Sequence, residues 1–257
     1  MDGSIQVPVS QNKPRPAAAR RAKSENGSWQ AEKSHLMRMH ILDATMRCLV
    51  EIGYTQTTTE KIAKQAGVSR GAMTHHFKSR DDVFSAAAAY ITDIRVMEYD
   101  AAIGAVSDSD GSFPTEQNML RTIQVLQDYY MKPSFLAFQE LMRGARTDAQ
   151  LHTVMSPLEQ SLDERINTSM VTRFPVWSKK ELRQTGEVLR DLMMHTLQGV
   201  ALNPAPYLQG DRLDRLHHAL AKTAMNEFNE GYRLIEAREQ AAAAKRKGTG
   251  KTDDSTT

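Results

Sequence analysis

The sequence predicts an all-α protein of about nine helices, with an N-terminal three-helix helix-turn-helix domain and a larger helical domain behind it. Three observations carry this. Apolar residues recur at helical spacing in one segment after another, and no stretch alternates with the period of a strand. Residues 57–80, TTTEKIAKQAGVSRGAMTHHFKSR, form two short amphipathic segments that meet at Gly67. Charge is also segregated: residues 1–80 hold 13 Lys and Arg against 6 Asp and Glu, and the other 177 hold 20 against 25. A basic first third beside an acidic remainder fits a nucleic-acid module joined to something else.

Residues 1–33 contain KPRPAAARRAK and little apolar periodicity, so a disordered basic arm is expected. Its Arg15, Arg20, Arg21 and Lys23 have the charge to follow a minor groove, or only to attract nucleic acid non-specifically. The first helix covers 34–52, with Ile41, Thr45, Cys48 and Ile52 on one face, and Gly53 stops it. Cys48 falls on the packing face and reads as core. A single cysteine excludes an internal disulfide and fits a reducing compartment.

Thr57 or Thr58 caps the second helix, and Thr57 with Glu60 has capping-box spacing. The helix passes through Ile62, Ala63 and Ala66 before Gly67 takes the left-handed turn that L side chains resist. Val68 then points inward and Ser69 caps a third helix, 70–76. Met73 and Phe77 face the core, while Arg70, Gly71, Thr74 and His75 share the opposite face. Two helices crossing at so tight a turn can seat the second in a DNA major groove. A plain helical hairpin has the same local signature.

The flanking residues separate the two. Ile41-Leu42, Gly53-Tyr54, the threonine-rich helix start, IAKQAGVSRG at 62–71, HHF at 75–77 and the KSRDDVF continuation resemble the tetracycline-repressor (TetR) family of bacterial transcription regulators over about residues 36–90. The resemblance implies an all-helical homodimer whose third helix enters the major groove of a two-fold operator. It implies a base-reading role for Arg70, close approach at Gly71 and Ala72, and phosphate contacts from Thr58, Ser69, Thr74, His75, His76 and Lys78. Thr74 stands where the family has a tyrosine that reaches a phosphate, and Arg80 where it has a lysine. The two histidines are equally able to pack or cap locally.

The fourth helix starts after Ser79, which has capping spacing with Asp82, and runs to about Val106. SDSDGSFP at 107–114 breaks it. Helices follow at 115–131, 134–146, 148–173, 179–202 and 212–240. Thr147 and Gln150 mark the start of the seventh, Pro157 should kink it, and Ser178 with Glu181 marks the eighth. The expected domains are thus the arm, 1–33; the helix-turn-helix domain, 34–80; a ligand-binding and dimerisation domain, 81–240; and a flexible tail, 241–257.

Met119, Tyr130, Phe135, Phe138, Met142, Met155, Trp177 and Met194 crowd helices five to eight. Adaptable thioethers and aromatic rings suit a pocket for a small apolar effector, as they also suit ordinary core. Arg143 and Arg146 could neutralise an anion on such a ligand or simply favour a helix C-terminus. The apolar stripes of the last two helices outlast a single contact, so Leu189, Met193, Leu220, Ala224 and Phe228 are expected at a dimer interface. In the family resembled, the last two helices pair with their symmetry mates.

No cofactor or metal is expected. GTGKT at 248–252 lacks a glycine at 245, the His75-His76 and His217-His218 pairs diverge on a helix, and no HExxH, CxxC or GxSxG occurs. No apolar run nears the ~18 residues of a membrane span, so a cytoplasmic protein without membrane contact is expected. The function read from the chain is a DNA-binding regulator, not an enzyme. Repression relieved by a small-molecule effector stands first. An activator or constitutive DNA-binding protein, or a helical enzyme or metal sensor, stands behind it.

Overall fold

The computed structural model describes residues 17–106, 115–173, 180–203 and 205–249. Among the described residues are nine α-helices and no strand: α1 (Ala17–Gln56), α2 (Thr59–Gln65), α3 (Arg70–His76), α4 (Arg80–Gly104), α5 (Glu116–Tyr130), α6 (Pro133–Ala145), α7 (Ala149–Arg173), α8 (Lys180–Leu202) and α9 (Asp211–Thr249).

Most of these ends follow from local chemistry. Ser79 and Asp82 form the reciprocal capping box their spacing predicts. Pro133 sits in the first turn of α6, where its missing N–H costs nothing. The cap of α7 is not Thr147: Asp148 accepts from the Leu151 amide at 3.0 Å, and Thr147 donates to Gly144 O. An aspartate one residue later satisfies the same orphan donor with a full charge. Pro157 lies inside α7, which continues as one helix to Arg173. The start expected at Ser178 falls outside the described residues.

Both chain ends are more helical than expected. The helix is continuous from Ala17, so residues 17–33 extend α1 where a disordered arm was anticipated, and α9 passes 240 to reach Thr249. Alanine, lysine and arginine, the strongest helix formers, dominate both extensions. Residues 29–37 are all exposed, so propensity and not packing holds that stretch of α1.

The core has two parts. One joins α1–α4 to α6 and α7 through Ile41, Leu49, Ile62, Met73, Phe84, Ile91, Leu141 and Met155. The other joins the second half of α4 to α5, the start of α6, α8 and α9 through Tyr99, Ile123, Tyr129, Phe135, Leu197 and Ala221. Cys48 lies in the first part, and burial pushes its thiol pKa up, as suits a packing residue.

The second part also takes Leu189, Leu220 and Ala224 of the residues expected between protomers, and Phe228 is buried at the cavity. Leu189, Leu220, Ala224 and Phe228 are 3%, 7%, 1% and 1% exposed, and half-buried Met193 packs beside them. The main stripes of α8 and α9 are therefore spent on α5 and on each other within their own chain. Helical periodicity shows that a face is buried without showing what buries it.

Candidate DNA-reading helix and effector cavity

The helix-turn-helix is built by its caps. Thr58, not Thr57, caps α2 by accepting from the Lys61 amide at 3.3 Å. Thr57 is fully buried and donates to Gly53 O at 2.7 Å, so its capping box with Glu60 does not form. At the turn, Val68 N–H returns to Ala63 O and Gly67 N–H to Lys64 O, at 2.9 and 3.1 Å. This pair of bonds needs Gly67 at φ 64°. Side-chain room is not the constraint, since a Cβ there would meet nothing within 4 Å. His40 Nε2 bonds Ala66 O at 2.8 Å, tying α1 to the end of α2.

Met73 and Phe77 are buried, so α3 turns Arg70, Gly71, Thr74 and His75 outward, with Lys78 exposed just beyond; Ala72 is half-buried. Ser69 accepts from the Ala72 amide at 3.1 Å, and Thr58 serves α2 likewise. Both hydroxyls act as acceptors in their caps, so both keep an O–H to donate to a phosphate. Thr74 is the reverse: its O–H goes back to Arg70 O at 2.9 Å. Its one donor is thus spent on the backbone of its own helix. Gly71 would have ordinary room for a Cβ, so packing within the protomer does not require a glycine there.

His76 is half-buried. Desolvation first, then the neighbouring His75 and Arg38, holds its pKa below the usual histidine value, which weakens any role as a cationic phosphate contact. Arg38 was not singled out in the sequence. Its Nη1 donates to His76 O at 3.2 Å and its guanidinium lies 4.3 Å from the Phe77 ring centroid, a cation at the C-terminus of α3.

Gly53 and Tyr54 form the joint between this head and the rest of the chain. Gly53, at φ 74°, breaks the helical path of α1. The Tyr54 amide then donates to Glu140 Oε2 at 3.2 Å. Tyr54 O–H donates to Asp148 Oδ2 at 2.7 Å and accepts from Arg80 Nη1 at 2.9 Å; Arg80 Nη2 also reaches Tyr54 O. The Leu151 amide and the tyrosine hydroxyl hold the Asp148 carboxyl below its usual pKa. Arg80 is therefore a fastening between α1 and α4. A Cβ on Gly144 would stand 2.5 Å from the Tyr54 ring. Gly144→Ala should lower stability by about 1–3 kcal/mol through overpacking. Denaturant midpoints check this, with Gly71→Ala as the control, because a Cβ there meets only an ordinary contact at 3.8 Å.

Between α4, α5, α6, α7, α8 and α9 lies a cavity of about 650 Å³. Met119, Tyr130, Phe138 and Met194 line it as the sequence suggested. Phe135, Met142 and Met155 do not: Phe135 and Met155 are sealed in the core, and Met142 packs against it from outside. Trp177 falls outside the described residues. Arg143 and Arg146 are exposed, and Arg143 pairs with Glu140 at 2.7 Å. The cations at the cavity are others: Arg95 on α4, Arg173 on α7 and Arg190 on α8. Arg95 was legible in principle. Ile91, Arg95, Tyr99 and Ile103 fall at four-residue steps, so a charge interrupts an apolar stripe. The whole cavity wall of α4 follows that stripe, through Arg95, Tyr99 and Ile103, and Val106 extends it past the helix end.

Among the described residues, no helix is long and apolar enough to cross a membrane and no three His, Cys, Asp or Glu side chains group as a metal site. The family model for bacterial regulatory proteins of the tetR family matches residues 41–87. An uncharacterised HTH-type transcriptional regulator of Mycobacterium tuberculosis is 26% identical over 181 residues, 68% of this chain and 88% of the relative. An HTH-type transcriptional repressor of the same organism is 37% identical over 73 residues, 28% of this chain and 39% of that one. The crystal structure of a TetR-family regulator from Mesorhizobium loti aligns with a TM-score of 0.60 at 16% identity, covering 75% of this chain and 96% of that one, which speaks to the fold. Residues 41–87 thus carry the helix-turn-helix of the tetR family of bacterial regulatory proteins, and an all-helical body with the fold of TetR-family regulators stands behind it.

Proposed function

We propose that the protein is a homodimeric repressor, with residues 34–80 as reading head and 81–240 as body, which leaves a two-fold operator when a small, largely apolar effector enters the cavity. The observation that supports this most is the continuity of α4. At its start Arg80 holds the head through Tyr54, and further along its Arg95, Tyr99 and Ile103 wall the cavity. A ligand that favours one setting of this wall would shift α4 and, through it, the spacing of the two heads. It releases DNA only to the extent that it binds the DNA-incompetent setting better.

A second copy has a face to use. Val188 and Leu192, one turn apart on α8, are 68% and 42% exposed, and Leu234 on α9 is 56% exposed. Gly199 extends the α8 face with open space where a side chain would be. These residues, and not the buried stripe, are the interface of the proposed dimer.

Arg70 leads the outward face of α3 and has the fork geometry for a guanine edge. Arg70→Ala should weaken specific binding by about 1–3 kcal/mol and relax preference at one base pair per half-site. Binding to a selected duplex and to scrambled DNA, at one salt concentration, checks it; an unchanged ratio would show that Arg70 reads no base. The regulatory reading itself is tested by titrating cavity ligands into the protein–DNA complex. Release should follow occupancy, whereas a complex that persists with the cavity filled would leave a constitutive DNA-binding protein.

A further inference from the structure

We propose that the cavity takes an organic anion, a carboxylate on an elongated apolar body, with the carboxylate held by Arg95. This rests on reading the cavity as the effector site and adds the chemical class of the effector. Arg95 is 3% exposed and lines the cavity. Its Nη2 donates to the Tyr129 hydroxyl at 2.8 Å, while Nε and Nη1 have no hydrogen-bond partner. Among the described residues it forms no ion pair, unlike Arg190 across the same cavity, which has Asp163 at 3.3 Å and Asp191 at 3.5 Å. The rings of Phe135, Phe138 and Tyr129 stand 4.9, 5.2 and 5.2 Å from the Arg95 guanidinium. They fix its place and attract the cation, but ring faces cannot accept all of its N–H groups.

A buried guanidinium with free donors is costly by itself and far less so against an anion. Among the described residues Arg95 is the one buried arginine or lysine without a carboxylate, and it matches a single negative charge, which favours a carboxylate over a doubly charged phosphate. The shape of the cavity supplies the rest of the ligand. Tyr99 and Ile103 follow Arg95 along one face of α4, a wall of about 12 Å at the helical rise, and Val106 continues it just past the helix end. Met119, Leu126 and Met170 face the same space, and thioethers and aliphatic chains suit a hydrocarbon body. A volume of about 650 Å³ falls within the ordinary range for small-molecule sites.

The test uses the full chain and three probes with the same tail: decanoate, decanol and decyltrimethylammonium. Calorimetric titration should show decanoate binding roughly tenfold or more tighter than the other two, as a charge-assisted hydrogen bond in a buried site requires. Arg95→Met, unbranched and uncharged, should bring decanoate down to the decanol level, while Arg143→Met, at an exposed arginine, should keep the wild-type preference. Equal or tighter binding of decanol or the ammonium, no binding of any probe, or a preference that survives in Arg95→Met overturns the proposal. If Arg95→Met does not fold, the wild-type ratio of decanoate to decanol decides. Decanoate that binds through Arg95 yet leaves the DNA complex intact would uphold the anion site and defeat the regulatory reading, so the two fail separately.

Discussion

Leu220→Glu should unfold the protomer. Leu220 is 7% exposed and packs in the core of α4, α5, α8 and α9, beside Ala221 and Ala224. A carboxylate there loses its hydration without a partner, at an effective cost of several kcal/mol. Total stabilities of about 5–15 kcal/mol leave little to spare after such a loss. Circular dichroism should show lost helicity or a large fall in melting temperature. A folded, helical monomer would instead mean that Leu220 sits between protomers.

Leu192→Glu should do what Leu220→Glu does not. Leu192 is 42% exposed on α8, one turn from Val188. In a lone protomer the added charge stays in water, so helicity and melting temperature should match wild type. In the proposed dimer the charge is buried twice, once per protomer, and opposite itself near the two-fold axis. Sedimentation should therefore show a monomer. Operator affinity should fall by about 10²–10⁴, because two half-sites no longer share one binding event. A helical dimer with normal operator binding would remove this face of α8 from the interface.

The contrast between these two leucines shows what the sequence could carry. Both lie on apolar helical stripes, and spacing alone ranked Leu220 above Leu192 as an interface residue. Spacing reports burial, but α5 and α8 reach the α9 stripe first, and only tertiary structure reveals that. Where the determinant is local, the sequence was read closely. Gly67, Ser69 and the Ser79–Asp82 box set the turn and the limits of α3 and α4 through bonds spanning a few residues. At α7, two capping candidates stood side by side, and Asp148 rather than Thr147 made the bond.

The candidate sites divide in the same way. The outward face of α3 follows from periodicity, because Met73 and Phe77 fix which side is in. The cavity does not, because it is bounded by six helices whose mutual placement no local pattern encodes. Phe135 and Phe138 illustrate this: three residues apart on α6, one is sealed in core and the other borders the cavity. Arg95 was visible as a charge in an apolar stripe, though not as a group whose Nε and Nη1 lack partners. The Tyr54 joint was half visible. Gly53-Tyr54 stood out as a pair, while Glu140 and Asp148 became its partners only through the packing of α1 on α6 and α7.

Selection of bound sites from a random duplex pool, with the purified full chain, tests the central claim most directly. A dimer that presents two copies of α3 should enrich two-fold-related half-sites, centred about one helical turn or a multiple of it apart. Arg70→Ala should lose the preference at one matching position in each half. Enrichment of a single asymmetric half-site, or of no sequence beyond general affinity for DNA, would contradict the account.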